Sequence, residues 1–118
     1  MKDCTIYKTV DIIGKKWTLC ILHELYTGDK REKRFNELKK MINGITPKVL
    51  STRLQELEDQ GLVKKVIDDS VIPVKCEYSL TEGGEEFINI MQDIKRWGLK
   101  HKFENPVCGM SSCKECKL

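Results

Sequence analysis

The sequence predicts a mostly helical α+β domain in which two short helices precede a hairpin and further helices flank both. Three observations lead to this fold class. Apolar residues recur at helical spacing in several segments, apolar and polar residues alternate at residues 74–80, and glycine or proline marks most boundaries between these patterns. With 118 residues, the chain is long enough for one domain with its own core.

The composition narrows the class of protein. Hydrophobic residues make up 40% of the chain, charged residues 33%, and the formal net charge is +3, so a surface for nucleic acid must come from local clustering of charge. No signal peptide is apparent, and the apolar run at residues 17–25 is interrupted and too short to span a bilayer. We expect a cytoplasmic protein without membrane contact, whose six cysteines are thiols or metal ligands.

The first third of the chain predicts two helices. Residues 5–13 form a short amphipathic helix with Ile6, Val10 and Ile13 on one face. Residues 14–16 break this pattern. Residues 17–26 are apolar on nearly every side, which predicts a helix that neighbours cover on several faces. The loop that follows carries a basic run at residues 30–34, for which a solvated loop and a DNA contact are equally good interpretations.

Residues 35–60 predict two helices that are joined by a tight turn. The first spans residues 35–42, and Gly44 permits the positive φ that such a turn needs. Thr46 and Pro47 fit the N-cap and first position of the second helix, because threonine caps exposed amides and proline loses no hydrogen bond there. Gly61 ends this helix at the C′ position.

The second of these helices has the character of a DNA-reading helix. Its apolar face is Leu50, Leu54 and Leu57. The opposite face of the N-terminal half consists of Pro47, Lys48, Ser51, Thr52 and Gln55. Acids gather only in the C-terminal half, so the end that reaches base edges in helix-turn-helix proteins carries no negative side chain. Arg53 borders the apolar face and could contact a phosphate or pair with an acid inside the domain.

A hairpin follows directly, which is the position of a wing. Residues 62–67 and 74–80 are the predicted strands, and Cys76, Tyr78 and Leu80 alternate with polar residues as in a half-buried strand. Lys64, Lys65 and Lys75 are the predicted phosphate contacts of the wing. Two aspartates in the turn would repel phosphate, so we expect the strands rather than the tip to touch DNA.

The last helix opens at Thr81 and extends toward Pro106. Phe87, Ile90/Met91, Ile94 and Trp97 form one apolar stripe, and further apolar residues lie outside it. This is more apolar surface than a single core requires, which favours contact with a second subunit. We therefore divide the chain into a winged helix-turn-helix domain with dimerisation helices, residues 1–105, and a cysteine-rich tail, residues 106–118.

A series of motifs carries a family resemblance. It comprises Cys4 and residues 14–18, 34–38, 45–58, 61–63 and 77–83. In this order, over residues 4–98, they resemble the HxlR family of winged helix-turn-helix transcriptional regulators. The resemblance implies a homodimer that is built from the N- and C-terminal helices and binds a palindromic operator in double-stranded DNA. It also implies that Cys4 acts as a redox-responsive thiol. The alternative is a winged-helix protein–protein interaction module that does not bind DNA.

The tail lies outside this family pattern. Cys108, Cys113 and Cys116 have spacing that would let three thiolates converge on zinc or an iron–sulfur centre, and Cys4 could supply a fourth ligand. The competing interpretation is a disordered tail whose thiols have no role. No phosphate loop, Ser-His-Asp arrangement or paired-carboxylate site is apparent, so we expect no enzymatic activity.

Overall fold

The computed structural model describes residues 3–116. The helices are α1 (Thr5–Ile13), α2 (Thr18–Tyr26), α3 (Phe35–Met41), α4 (Pro47–Asp59), α5 (Glu82–His101) and α6 (Pro106–Met110), and a 3-10 helix spans Cys113–Glu115. The strands are β1 (Val63–Asp68) and β2 (Lys75–Leu80). This mostly helical α+β architecture confirms the predicted fold class, including the break between α1 and α2.

Helix α2 lies at the centre of the core. It packs against α3, α4, α5 and β2, and its residues Ile21, Leu22 and Leu25 are almost completely buried. Such a helix can be apolar on several faces because each face meets a different neighbour. The apolar pattern of residues 17–26 also predicts Cys20 as a thiol packed in the core, and this was wrong, because Cys20 is exposed in the single chain.

The helix-turn-helix has the predicted local chemistry. Gly44 has a φ of 91°, and the Thr46 hydroxyl accepts a hydrogen bond of 3.2 Å from the Val49 amide at the start of α4. Pro47 is the first residue of the helix. At the other end, Gly61 follows the C-cap with a φ of 81°, which reverses the chain into β1.

The wing is an antiparallel hairpin in which Val63 pairs with Leu80 and Asp68 with Lys75. An isolated bridge between Lys33 and Tyr78 adds one residue of the α2–α3 loop to the free edge of β2. The alternation with Cys76, Tyr78 and Leu80 predicts that Ser79 lies on the outer face of β2. It is instead buried, because α2, α3 and α5 all pack against this strand.

Helix α5 divides its apolar residues between two faces. Gly84 lies so close to the Leu62 carbonyl that an added Cβ would stand 2.2 Å from its oxygen, which lets the helix pack directly on the start of the wing. Phe87 and Ile88 enter the core. Ile90, Ile94 and Trp97 lie outside it with exposed fractions of 50%, 50% and 57%, so the predicted single stripe is in fact two.

Helix α1 adds a second apolar surface, since Ile6 and Val10 are exposed and none of its residues is buried. No helix among residues 3–116 is long and apolar enough to cross a membrane. The tail was predicted without periodic structure, yet α6 and the 3-10 helix form there, and the latter packs against α2. The two terminal residues of the predicted tail lie outside the described residues.

Candidate nucleic-acid interface and cysteine sites

The outer face of α4 presents the predicted groove residues side by side. Pro47, Lys48, Ser51, Thr52 and Gln55 are all exposed. The Thr52 hydroxyl donates to the Lys48 carbonyl at 2.9 Å, which keeps its methyl group and oxygen close to the helix. Most side chains of this face are therefore short and uncharged, and Lys48 is its one positive charge. A helix surface with these properties can enter a DNA groove.

The C-terminal half of the same face is different. The Gln55 side-chain amide donates to Glu58 Oε1 at 3.3 Å and to Asp59 Oδ1 at 2.9 Å. These contacts turn the Gln55 amide group toward the acids at the C-terminal end of α4. Gln55 thus marks the boundary between an acid-poor half, which can approach phosphate, and an acidic half, which cannot.

Arg53 makes internal contacts instead of facing outward. Its Nε donates to the Lys16 carbonyl at 3.0 Å, and a guanidinium nitrogen lies 3.0 Å from Glu56 Oε1. Lys15 pairs with the other oxygen of Glu56. Hydrogen bonds from Lys15 and Arg53 lower the pKa of Glu56 below its ordinary value of 4.5. Of the two interpretations of Arg53, pairing with an acid is the arrangement present, and it ties α4 to the turn before α2.

The wing lysines differ in their surroundings. Lys64 is exposed, and the Lys65 ammonium lies 5.9 Å from the centre of the Tyr78 ring. Lys75 Nζ is 3.4 Å from a carboxylate oxygen of Glu77. At the tip, the Asp68 carboxylate accepts hydrogen bonds from the hydroxyl and backbone amide of Ser70, which lower the pKa of Asp68. The tip therefore stays negative, as expected from the two aspartates.

Lys33 belongs to the basic loop but is buried. The residue is 4% exposed, and its ammonium donates to the carbonyls of Glu24, Leu25 and Thr27 at 2.6, 3.2 and 2.5 Å. Burial, followed by the charge of Lys114, lowers the pKa of Lys33 from its ordinary value of 10.5. For this residue both interpretations of the basic run were wrong. Lys33 satisfies the C-terminal carbonyls of α2, and nothing in the local sequence distinguishes it from its exposed neighbours.

The cysteines fall into separate locations. Cys4 is the half-buried N-cap residue of α1, and Cys76 is half-buried in β2. Cys108, Cys113 and Cys116 line one cavity of about 280 Å³ between the tail and helices α2 and α5. Within residues 3–116, no group of three or more histidine, cysteine, aspartate or glutamate side chains is placed to hold a metal ion. The structure thus brings the tail thiols to one cavity without arranging them as a ligand set.

Two lysines fasten the tail to the body of the protein. Lys114 donates to the Tyr26 carbonyl at 2.9 Å, and its ammonium lies 5.0 Å from the centre of the Tyr26 ring. The Lys114 carbonyl accepts from the Gly28 amide at 2.8 Å. Lys95 on α5 donates to the Ser111 carbonyl at 3.0 Å. The tail is therefore folded against the end of α2 rather than lacking contacts.

The helix-turn-helix, the hairpin after it and the acid-poor face of α4 define a winged helix-turn-helix protein. A family model described as HxlR-like helix-turn-helix matches residues 12–105. YdeP of Bacillus subtilis (strain 168), an uncharacterized HTH-type transcriptional regulator, is 40% identical over 101 residues, which cover 86% of this chain and 76% of YdeP. BH0655 of Halalkalibacterium halodurans, also an uncharacterized HTH-type transcriptional regulator, is 37% identical over 102 residues, which cover 86% of this chain and 88% of BH0655. The chain therefore belongs to the HxlR-like family and is a transcriptional regulator of helix-turn-helix type.

Solved structures agree with this assignment. The reduced transcriptional regulator YodB of B. subtilis superimposes with a TM-score of 0.75 at 30% identity, covering 89% of this chain and 99% of YodB. The redox regulator HypR in its reduced form superimposes with a TM-score of 0.74 at 34% identity, covering 84% of this chain and 94% of HypR. The matched family region ends at residue 105, so it does not include the three tail cysteines.

Proposed function

We propose that this protein binds double-stranded DNA sequence-specifically as a homodimer, with the N-terminal half of α4 in the major groove. The observation that carries the proposal is the exposed, acid-poor face formed by Lys48, Ser51, Thr52 and Gln55 at the capped end of α4. The hydroxyl groups on this face can read base edges, as can the Gln55 amide when it turns from Glu58 and Asp59 toward a base. Lys48 together with the helix N-terminus favours phosphate. Arg53 supports this surface by fixing α4 to the Lys16 carbonyl.

The wing supplies contacts that do not depend on sequence. Lys64 lies exposed on β1, and Lys75 stands at the start of β2, with Glu77 as its ionic partner. A phosphate that approaches Lys75 must compete with this carboxylate, so we assign the larger share of phosphate binding to Lys64. Contacts of this kind add affinity that declines as salt concentration rises.

The exposed apolar faces of α1 and α5 are the proposed dimer interface. Ile6 and Val10 on α1, and Ile94 and Trp97 on α5, are at least half exposed in the single chain. Covering them with a second copy would remove apolar surface from water, which is the main favourable term in association. A two-fold dimer would present two α4 helices about 34 Å apart and therefore favour a palindromic operator.

Cys4 is the proposed thiol switch of the matched region. It is the N-cap residue of α1, a helix of the proposed interface, so a bulky or covalent change at its sulfur would alter how the two subunits meet. HypR and YodB, which superimpose on this chain, have solved structures in reduced and in oxidised or diamide-treated forms. This likeness supports a redox role for a thiol in this chain.

DNA recognition is tested by selecting bound fragments from fragmented genomic DNA and measuring affinity for the selected site. Lys48→Ala combined with Gln55→Ala should weaken specific binding at least tenfold, about 1.4 kcal/mol, while the melting temperature changes little. Lys102→Ala, which removes an exposed lysine beyond the end of α5, is the charge-matched control for Lys48. Equal affinity of the double variant and the wild type would refute the groove assignment. Absence of any selected site would favour the protein–protein module.

The dimer is tested by sedimentation equilibrium. Ile94→Glu should convert the dimer to monomer, because a carboxylate at the centre of an apolar interface would lose its hydration. Ile72→Glu introduces the same change at a fully exposed position in the wing and should leave the dimer intact. A monomeric wild type, or an Ile94→Glu variant that stays dimeric, would refute the proposed interface.

A further inference from the structure

Three cysteines of the tail share one cavity that the family resemblance does not explain. Cys108 lies in α6, Cys113 begins the 3-10 helix and Cys116 is its C-cap. All three are half-buried and line the cavity of about 280 Å³, whose remaining wall includes Ile88 and Met91 of α5. The cavity gives a small molecule access to these sulfurs.

Two of these cysteines are separated by a single turn. The Cys116 amide donates to the Cys113 carbonyl at 3.4 Å across the 3-10 helix. In a turn of this kind the first and fourth Cα atoms lie within about 7 Å of each other. A disulfide requires about 4.4–6.8 Å between Cα atoms, so the C-x-x-C segment can close with rotation of the two side chains and little backbone movement.

A positive charge faces the first of the pair. Lys95 Nζ is 3.7 Å from Cys113 Sγ, and the same ammonium donates to the Ser111 carbonyl at 3.0 Å. This second contact holds the Lys95 side chain beside the sulfur. A thiolate that forms at Cys113 would therefore keep a charged donor, and the thiolate is the nucleophilic form of cysteine.

From these observations we propose that Cys113 and Cys116 form a redox-active dithiol that exchanges with low-molecular-weight disulfides entering the cavity. The Cys113 thiolate attacks one sulfur of the disulfide R–S–S–R, an S–S bond forms to Cys113, and R–S⁻ leaves and takes up a proton. The Cys116 thiolate then attacks the Cys113 sulfur, which closes the Cys113–Cys116 disulfide and releases the second R–SH. The two cysteines lose two electrons and R–S–S–R gains them.

The pair stands on the segment that fastens the tail to α2. Lys114, between the two cysteines, donates to the Tyr26 carbonyl and accepts from the Gly28 amide. The adjoining carbonyls of α2 are those that Lys33 binds, and Lys33 pairs with Tyr78 in the wing. The Cys113–Cys116 turn is thus joined to β2 through Lys114, the end of α2 and Lys33.

The test is disulfide mapping of the full-length protein in glutathione buffers of increasing oxidised fraction. After alkylation of the remaining thiols, trypsin cleaves behind Lys114 and places Cys113 and Cys116 on different peptides. We expect these two peptides to become covalently linked, in the wild type and in Cys108→Ser alike. Cys116→Ser combined with Cys108→Ser should instead accumulate glutathione on Cys113, because neither of the other two thiols of the cavity is then present to displace it.

Lys95 is tested through the rate of the reaction. Lys95→Met should slow formation of the linked peptides several-fold, whereas Lys100→Met, an exposed lysine on the same helix, should not. The proposal is overturned if Cys113 and Cys116 remain alkylatable under strongly oxidising buffer. It is also overturned if the link disappears in Cys108→Ser, or if chelation of a bound thiophilic metal is needed before the thiols react. DNA is absent from this experiment, so its outcome does not depend on the proposed function.

Discussion

Removal of the Lys33 ammonium tests whether this buried lysine holds the loop to the end of α2. Lys33→Met keeps most of the apolar stem and deletes the charged group. The ammonium donates to three main-chain carbonyls, and its contacts to Leu25 and Thr27 are buried. The Glu24 carbonyl is close to a second donor, the Thr27 hydroxyl, at 3.3 Å, so its loss is smaller.

The size of the expected stability loss in Lys33→Met follows from the two buried carbonyls. Leaving a buried acceptor without its donor costs about 1–3 kcal/mol, and relief from burying the ammonium opposes part of this cost. The burial that lowers the pKa of Lys33 shows that this opposing term is present. We therefore expect a net loss of about 2–3 kcal/mol in the free energy of unfolding, which for a domain of this size lowers the melting temperature by about 8–12 °C.

The assay is thermal and urea unfolding at one fixed protein concentration, because an oligomer's stability depends on concentration. Lys30→Met is the matched control: Lys30 lies in the same loop, its side chain is 60% exposed, and it pairs with Glu37. The control should change stability by less than about 0.5 kcal/mol. If Lys33→Met is no more destabilising than Lys30→Met, the account of Lys33 as a structural anchor is wrong.

Two further predictions concern α5 and α4. Gly84→Ala should destabilise the protein by about 1–3 kcal/mol, since its Cβ would meet the Leu62 carbonyl oxygen at 2.2 Å. Gly83→Ala, whose Cβ has no neighbour nearer than 3.6 Å, should be neutral or stabilising by up to about 1 kcal/mol; equal effects in urea unfolding would refute the close approach. The lowered pKa of Glu56 means that its contribution to stability is present above pH 4.5 and is lost as pH falls through the folded-state pKa. Glu56→Gln should therefore have a lower melting temperature than the wild type at pH 7 and the same melting temperature at strongly acidic pH. A difference in melting temperature that does not depend on pH would contradict this explanation.

Much of the fold could be predicted because local chemistry and global pattern agree. Thr46 and Pro47 start α4, and Gly44 and Gly61 take the positive φ values that their turns need. These positions follow from backbone sterics and unsatisfied amides, which are local properties. The exposed residues of the proposed groove face were equally accessible from the sequence, since their exposure follows from the leucine face on the opposite side of α4.

Features that depend on distant contacts were not predictable. The burial of Lys33 requires the end of α2 to stand beside its loop, and the burial of Ser79 requires three helices to converge on β2. The spacing of the tail cysteines alone suggested a metal site. Their arrangement around a cavity depends on two distant contacts: Lys95 of α5 binds the Ser111 carbonyl of the tail, and Lys114 of the tail binds the Tyr26 carbonyl of α2. The division of the α5 apolar residues into two faces likewise depends on where α2 packs.

The most direct test of DNA recognition by the N-terminal half of α4 is to place a negative charge at each end of that helix. Ser51→Glu puts a carboxylate on the exposed N-terminal half, and Gln60→Glu puts one at the exposed C-cap, so the two variants have equal net charge. On the selected operator, at matched salt and with folding confirmed by circular dichroism, Ser51→Glu should bind at least tenfold more weakly than Gln60→Glu. Equal affinity of the two variants would contradict the account.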